Sequence, residues 1–130
     1  MKIDIDRLIS EIQGKLTVED LKKEYREANK NNPMKGHCYV ATEALFHILK
    51  AQKLLSGFSP YQARDLDDDS HWWLQNEKGV RLDLTADQYY SVGKKPPYEN
   101  GRKRYFQNPS PHSRTVNFYK RSKLDRFFKE

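Results

Sequence analysis

Val40, Ala41, Ala44, Leu45, Ile48 and Leu49 follow the i, i+3, i+4, i+7 spacing that gathers apolar side chains on one buried helix face. The predicted helix runs from Cys38 to about Leu55. Gly36 precedes it and Ser56-Gly57 stops it. With 130 residues, 36% of them apolar, the chain is expected to form one domain over 1–130 with a single modest core containing this helix. The only cysteine, Cys38, falls on the helix's first turn. Unpaired N–H groups and the positive end of the helix dipole favour a thiolate there. The competing fate is that of a small buried hydrophobe.

One cysteine excludes an intrachain disulfide and a thiolate-rich zinc site. The four histidines are scattered, with no HExxH and no CxxC, so no metal or cofactor is expected. The acidic run Asp65 to Asp69 lacks the spacing of a calcium loop and reads as a solvated turn. The opening Met1-Lys2-Ile3-Asp4-Ile5-Asp6 is charged, unlike the apolar core of a secretory leader. No apolar run approaches the roughly 18 residues of a membrane span. The expectation is a cytoplasmic, reducing setting with no membrane partner. A net charge of +6 permits an acidic partner, nucleic acid included, but no RNP, zinc-finger or Gly-rich phosphate motif sharpens this.

Ahead of the cysteine, Ile3 to Gln13 reads as an amphipathic helix ended by Gly14. Thr17 and Asp20 resemble a capping box for a charged helix through about Ala28. Asn29 to Pro33 forms a loop that delivers the chain to Gly36. Beyond the cysteine helix, Phe58 to Arg64 is a candidate strand that Pro60 restricts to an edge or an irregular piece. The basic segment 94–126 begins as a loop with Pro96 and Pro97. A helix from Ser110-Pro111, or a strand from Thr115 to Tyr119, follows.

The stretch from Ser70 to Thr85 reads as a hairpin whose register can be argued. Trp72 and Leu74 share one side of the first strand; Val80, Leu82 and Leu84 share one side of the second. A common apolar face requires both sets on the same side. The loop Glu77-Lys78-Gly79, with Gly in the left-handed conformation, gives that register. His71, Trp73 and Gln75 then share the opposite face with Arg81, Asp83 and Thr85. Asp83 lies opposite Trp73 and diagonal to His71, roughly 7–8 Å away at the backbone. Trp72 is expected in the core. Trp73 is expected to wall a substrate cleft or to pack.

A cysteine nucleophile needs a base within hydrogen-bond reach and a third group to orient that base. Cys38, His71 and Asp83 supply those types in suitable settings. The Cys38 N–H would face a developing oxyanion, with Asn32 and Gln88 as further polar candidates. Gly-His-Cys-Tyr before an Ala-containing helix, then His-Trp-Trp, then Leu-Asp-Leu-Thr-Ala-Asp-Gln-Tyr, resembles the transglutaminase-like group of papain-like cysteine enzymes. The resemblance covers roughly Asn32 to Tyr90. Leu84 stands where that group often has Pro, and the chain is short for its substrate-recognition lobes.

The resemblance implies an α+β papain-like fold: N-terminal helices, and a core cysteine helix packed on a small antiparallel sheet. It implies a cysteine hydrolase or transferase with Cys38 as nucleophile, His71 as base and Asp83 as its orienter. Hydrolysis, deamidation or transamidation of an amide, isopeptide or glutamine group would pass through a thioester. The expected partner is a protein or peptide substrate, and the +6 charge suits an acidic one. The alternative is a non-catalytic binding module that uses its basic surface for nucleic acid or an acidic protein.

Overall fold

The computed structural model describes residues 3–106 and 109–128. Residues 107 and 108, within the basic segment 94–126, and Met1 and Lys2 of the charged opening lie outside the described residues. The fold is α+β. Helix α3 (Cys38–Ala51) packs on a four-stranded antiparallel sheet of β1 (Ser59–Arg64), β2 (Ser70–Gln75), β3 (Arg81–Leu82) and β4 (Arg102–Lys103), in the order β3-β2-β1-β4. Helices α1 (Ile5–Lys15) and α5 (Ser113–Ser122) close the other sides of α3. Short α2 (Lys23–Asn29) precedes α3, and the single turn α4 (Asp87–Tyr90) follows the hairpin. Among the described residues no helix is long and apolar enough to cross a membrane.

The apolar stripe of α3 is central to the core, with Leu45, Ile48 and Leu49 fully buried among Leu8, Ile12, Leu74 and Phe118. Each such side chain contributes about 1.5–3 kcal/mol on leaving water. More of α3 is buried than one face. Thr42, Glu43 and His47 are also covered. Thr42 donates to the Trp72 carbonyl at 3.1 Å and so ties the helix to β2. Glu43 accepts from the His112 backbone and from the Tyr39 hydroxyl, which ties it to the start of α5.

The ends of several elements differ from expectation. Helix α1 continues through Gly14, because an interior glycine costs only about 1 kcal/mol when packing supports the helix. The Thr17–Asp20 capping box is present, but it starts a 3-10 turn, Val18–Asp20. The chain then extends through the buried Leu21 before α2 begins. Helix α3 stops at Ala51, with Lys53 in the left-handed region. The C-terminal alternative resolves as helix, with His112 accepting from the Arg114 N–H at its start. Pro60 sits in a strand whose outer neighbour is only the two-residue β4.

Gly36 is required by close approach. It has φ +88°, and a Cβ would lie 2.9 Å from both Leu21 Cδ2 and Tyr25 Cβ. The turn that brings the chain to Cys38 therefore packs directly on the preceding segment.

Candidate active site

Strand β2 pairs with β3 so that Leu74 faces Leu82 and Gln75 faces Arg81. Asn76 and Val80 close the hairpin around Glu77-Lys78-Gly79, with Gly79 at φ +81°. The alternation of apolar residues predicts this register, and it brings His71 and Asp83 together. His71 Nε2 and Asp83 Oδ2 are 2.6 Å apart, and both side chains are nearly inaccessible to water. Val80 departs from the pattern: it lies beyond the paired strand and is exposed.

Asp83 is held on both oxygens. Oδ1 accepts from the Thr85 N–H at 3.1 Å, and Oδ2 also accepts from the Tyr98 hydroxyl at 2.8 Å. Burial, then the Asp83 carboxylate, pushes the Tyr98 phenol well above its ordinary pKa and keeps it a donor. Tyr98 lies in the loop between α4 and β4, under the Arg81 guanidinium at 4.3 Å. Sequence reasoning missed it, since no periodicity marks that loop. Tyr98→Phe keeps the ring and removes one donor from a buried carboxylate. The expected cost is about 1.5–3 kcal/mol, read as a lower urea midpoint at neutral pH.

The His71 ring is clamped by aromatics. Trp73 stacks on it at 5.6 Å and Tyr89 meets it edge-on at 4.9 Å. Its Nδ1 is buried and has no hydrogen-bond partner among the described residues. Burial alone would lower the pKa of this imidazole. The Asp83 hydrogen bond and charge, together with the charge of the nearby Cys38, outweigh burial and raise it to about 9.

Cys38 is the first residue of α3 and lines a cleft of about 300 Å³. Its thiol lies 3.4 Å from the Ser70 carbonyl, one residue before His71. His37 at the N-cap makes no side-chain capping bond. The first N–H groups of α3 therefore lack the usual competitor for an incoming oxyanion.

Of the polar candidates, Gln88 lines the same cleft. Its side-chain carbonyl has no partner among the described residues. Asn32 corrects the expectation. Its amide donates to the Gln88 backbone carbonyl at 2.8 Å, so it positions Gln88 and does not face the thiol. Trp73 takes the second of its two expected roles, packing, and not the cleft wall. It is fully buried between His71, Tyr61 and Tyr98, with its indole N–H on Gln75. Trp72, expected in the core, is half-buried and walls the cleft beside Tyr39 and Cys38. The sheet is covered on both faces, so alternation alone could not say which tryptophan was the more buried.

Gly101 explains part of that cover. A Cβ there would lie 2.5 Å from Trp73 Cζ2, so only glycine lets the chain cross the indole so closely. The acidic turn ties itself together: Asp65 Oδ1 accepts from the Asp67 and Asp69 N–H groups, and Oδ2 from the Tyr89 hydroxyl. Among the described residues no group of three or more His, Cys, Asp or Glu side chains is placed to hold a metal. Compared with protein-family models, curated proteins and solved structures, the chain matches none.

Proposed function

We propose that the chain is a cysteine-dependent acyl-transfer enzyme of the transglutaminase-like, papain-like kind, acting on a carboxamide or peptide amide. The observation that carries this reading is the His71 ring. One nitrogen is bound to a buried carboxylate at 2.6 Å, and the other is buried without a partner among the described residues. Leaving a buried polar atom unpaired costs about 1–3 kcal/mol, which a purely structural histidine would avoid. Cys38 is the neighbour that acts on this ring together with Asp83. The cysteine at the start of a core helix, the His on strand β2 packed against it, and the Asp just past the end of β3 support the papain-like reading of the fold.

In this mechanism His71 takes the thiol proton and Asp83 stabilises the imidazolium. The thiolate attacks the amide carbonyl carbon, and the C=O pair moves to oxygen. The Cys38 N–H and the Gln88 side-chain amide are the donors for that oxyanion. His71 gives its proton to the leaving nitrogen as the C–N bond breaks, leaving a thioester. Water or an amine, deprotonated by His71, then attacks the thioester and releases the Cys38 thiolate. A reducing compartment suits a mechanism that runs through a free thiol.

Trapping the acyl-enzyme tests this. Incubation with an activated acyl donor such as a peptide p-nitrophenyl ester should give a hydroxylamine-sensitive mass increase on Cys38, lost in Cys38→Ser and His71→Ala. An adduct that forms equally well without His71 would reject the assigned roles.

A further inference from the structure

The charges around the cleft do not cancel. Lys35 lies 3.0 Å from Asp69 and Arg64 lies 3.4 Å from Asp68, so these two cations are matched. The other two that line it, Lys22 and Arg114, have no ion-pair partner among the described residues. The Arg114 Nε is buried and makes no hydrogen bond among the described residues. Its guanidinium lies 5.9 Å from the centre of the Tyr39 ring. Lys22, Arg114, Tyr39 and Trp72 also line the adjoining cavity of about 430 Å³. One groove therefore leads from the thiol across an aromatic floor flanked by Lys22 and Arg114, with Arg104, also in no ion pair among the described residues, lining only its far part. Tyr39 is fixed in that floor by its hydroxyl on the buried Glu43 at 2.9 Å.

We propose that Lys22 and Arg114 form a carboxylate-binding subsite beside Cys38, and that the acyl donor is an acidic peptide. The proposal rests on the acyl-transfer reading and adds its substrate class. A guanidinium with a buried, unmatched N–H is suited to a carboxylate, which it can meet through two parallel hydrogen bonds. The ammonium of Lys22 adds charge without fixed geometry. Tyr39 and Trp72 supply apolar surface for the main chain of a peptide. Nucleic acid fits less well. The groove opens on a thiol that requires a carbonyl carbon, and the Trp72 ring already stacks on Phe106 at 5.6 Å and 22°, so it does not stand free to receive a base.

Two alkylating agents of nearly equal size test the subsite on the full chain. Each forms an S–C bond at Cys38 as iodide leaves; iodoacetate carries a carboxylate and iodoacetamide does not. The iodoacetate-to-iodoacetamide rate ratio at Cys38 should exceed that of 2-mercaptoethanol. It should fall about fivefold or more in the double variant Lys22→Gln/Arg114→Gln, since nearby charges in a partly buried cleft are weakly screened. Arg114→Lys, which keeps the charge, should preserve most of the ratio. Lys50→Gln/Lys53→Gln removes equal charge from the far end of α3, roughly 18 Å along the axis at 1.5 Å per residue, and should change it less than about twofold at physiological salt.

Peptidyl chloromethyl ketones identify the source of the carboxylate. Glu against Gln beside the reactive carbonyl tests a side chain, and a succinyl against an acetyl cap tests a chain end. Faster labelling by either acidic member supports the subsite. Equal labelling within both pairs, or a ratio indifferent to Lys22 and Arg114, overturns it. A ratio that responds to them while the iodoacetamide rate ignores His71 would keep an anion site but reject an acyl donor bound there.

Discussion

Replacing His71 with Ala is expected to slow iodoacetamide labelling of Cys38 about a hundredfold at pH 6.5, where an unassisted thiol with pKa about 8.5 is only ~1% thiolate. Labelling is clean to read, because the chain has no other thiol. In the parent protein the ring holds its proton up to about pH 9. The Asp83 hydrogen bond and charge, with the charge of Cys38, more than offset the opposing effect of burial. An imidazolium that persists below about 9 keeps a positive charge beside Cys38 across neutral pH, and the proposed ion pair draws on that charge. The parent rate should stay nearly flat from pH 6 to 8. The variant rate should drop close to tenfold for each unit below about 8.5. The two profiles, measured by mass spectrometry over that range, separate an ion pair from a packed thiol. Superimposable profiles would discard the ion pair and with it the nucleophile assignment.

The second large effect concerns stability. Trp73→Ala empties a fully buried site between three rings and above Gly101, and should cost about 3–5 kcal/mol. For a chain of this length that is roughly 10–18 °C in Tm. The neighbouring Trp72→Ala removes a half-buried ring from the cleft wall and should cost no more than ~2 kcal/mol. Thermal melts of the two variants decide the assignment. The opposite order would put Trp72 in the core and return the cleft wall to Trp73.

These two tryptophans also show how far the sequence could be read. The hairpin register was legible because it depends on local rules: alternation along two strands and a glycine at the left-handed loop position. His71 and Asp83 follow from that register without further information. The helix bearing Cys38 was legible from its period. The exchange of roles between Trp72 and Trp73 was not, because it depends on what covers each face. Helix α3 covers the Leu74 face, while a loop from the basic segment, carrying Tyr98 and Gly101, covers Trp73. That loop has no period, and its contacts are made with residues far away in sequence. Asn32 was misassigned for a related reason. An amide in a loop can serve any acceptor within reach, and the nearest here is the Gln88 backbone. The loop from Gly93 to Arg104 reads as basic from its composition, yet its contribution to the site is a phenol and a missing side chain.

The clamp around His71 has an evolutionary consequence. Asp83, Tyr98 and Trp73 surround His71 in one buried assembly, and Trp73 fills the core whether or not any chemistry takes place. On the proposed reading, a descendant that lost the chemistry would still be under selection to keep Trp73, whose loss empties the core, while the unpaired Nδ1 of His71 would serve nothing. Cys38 lines the cleft but is itself buried, 7% exposed, and a serine there keeps nearly the same volume. Among sequences related to this one, retention of Trp73 and Gly101 would therefore mark a shared fold, and joint retention of Cys38, His71 and Asp83 would mark those that keep the proposed chemistry.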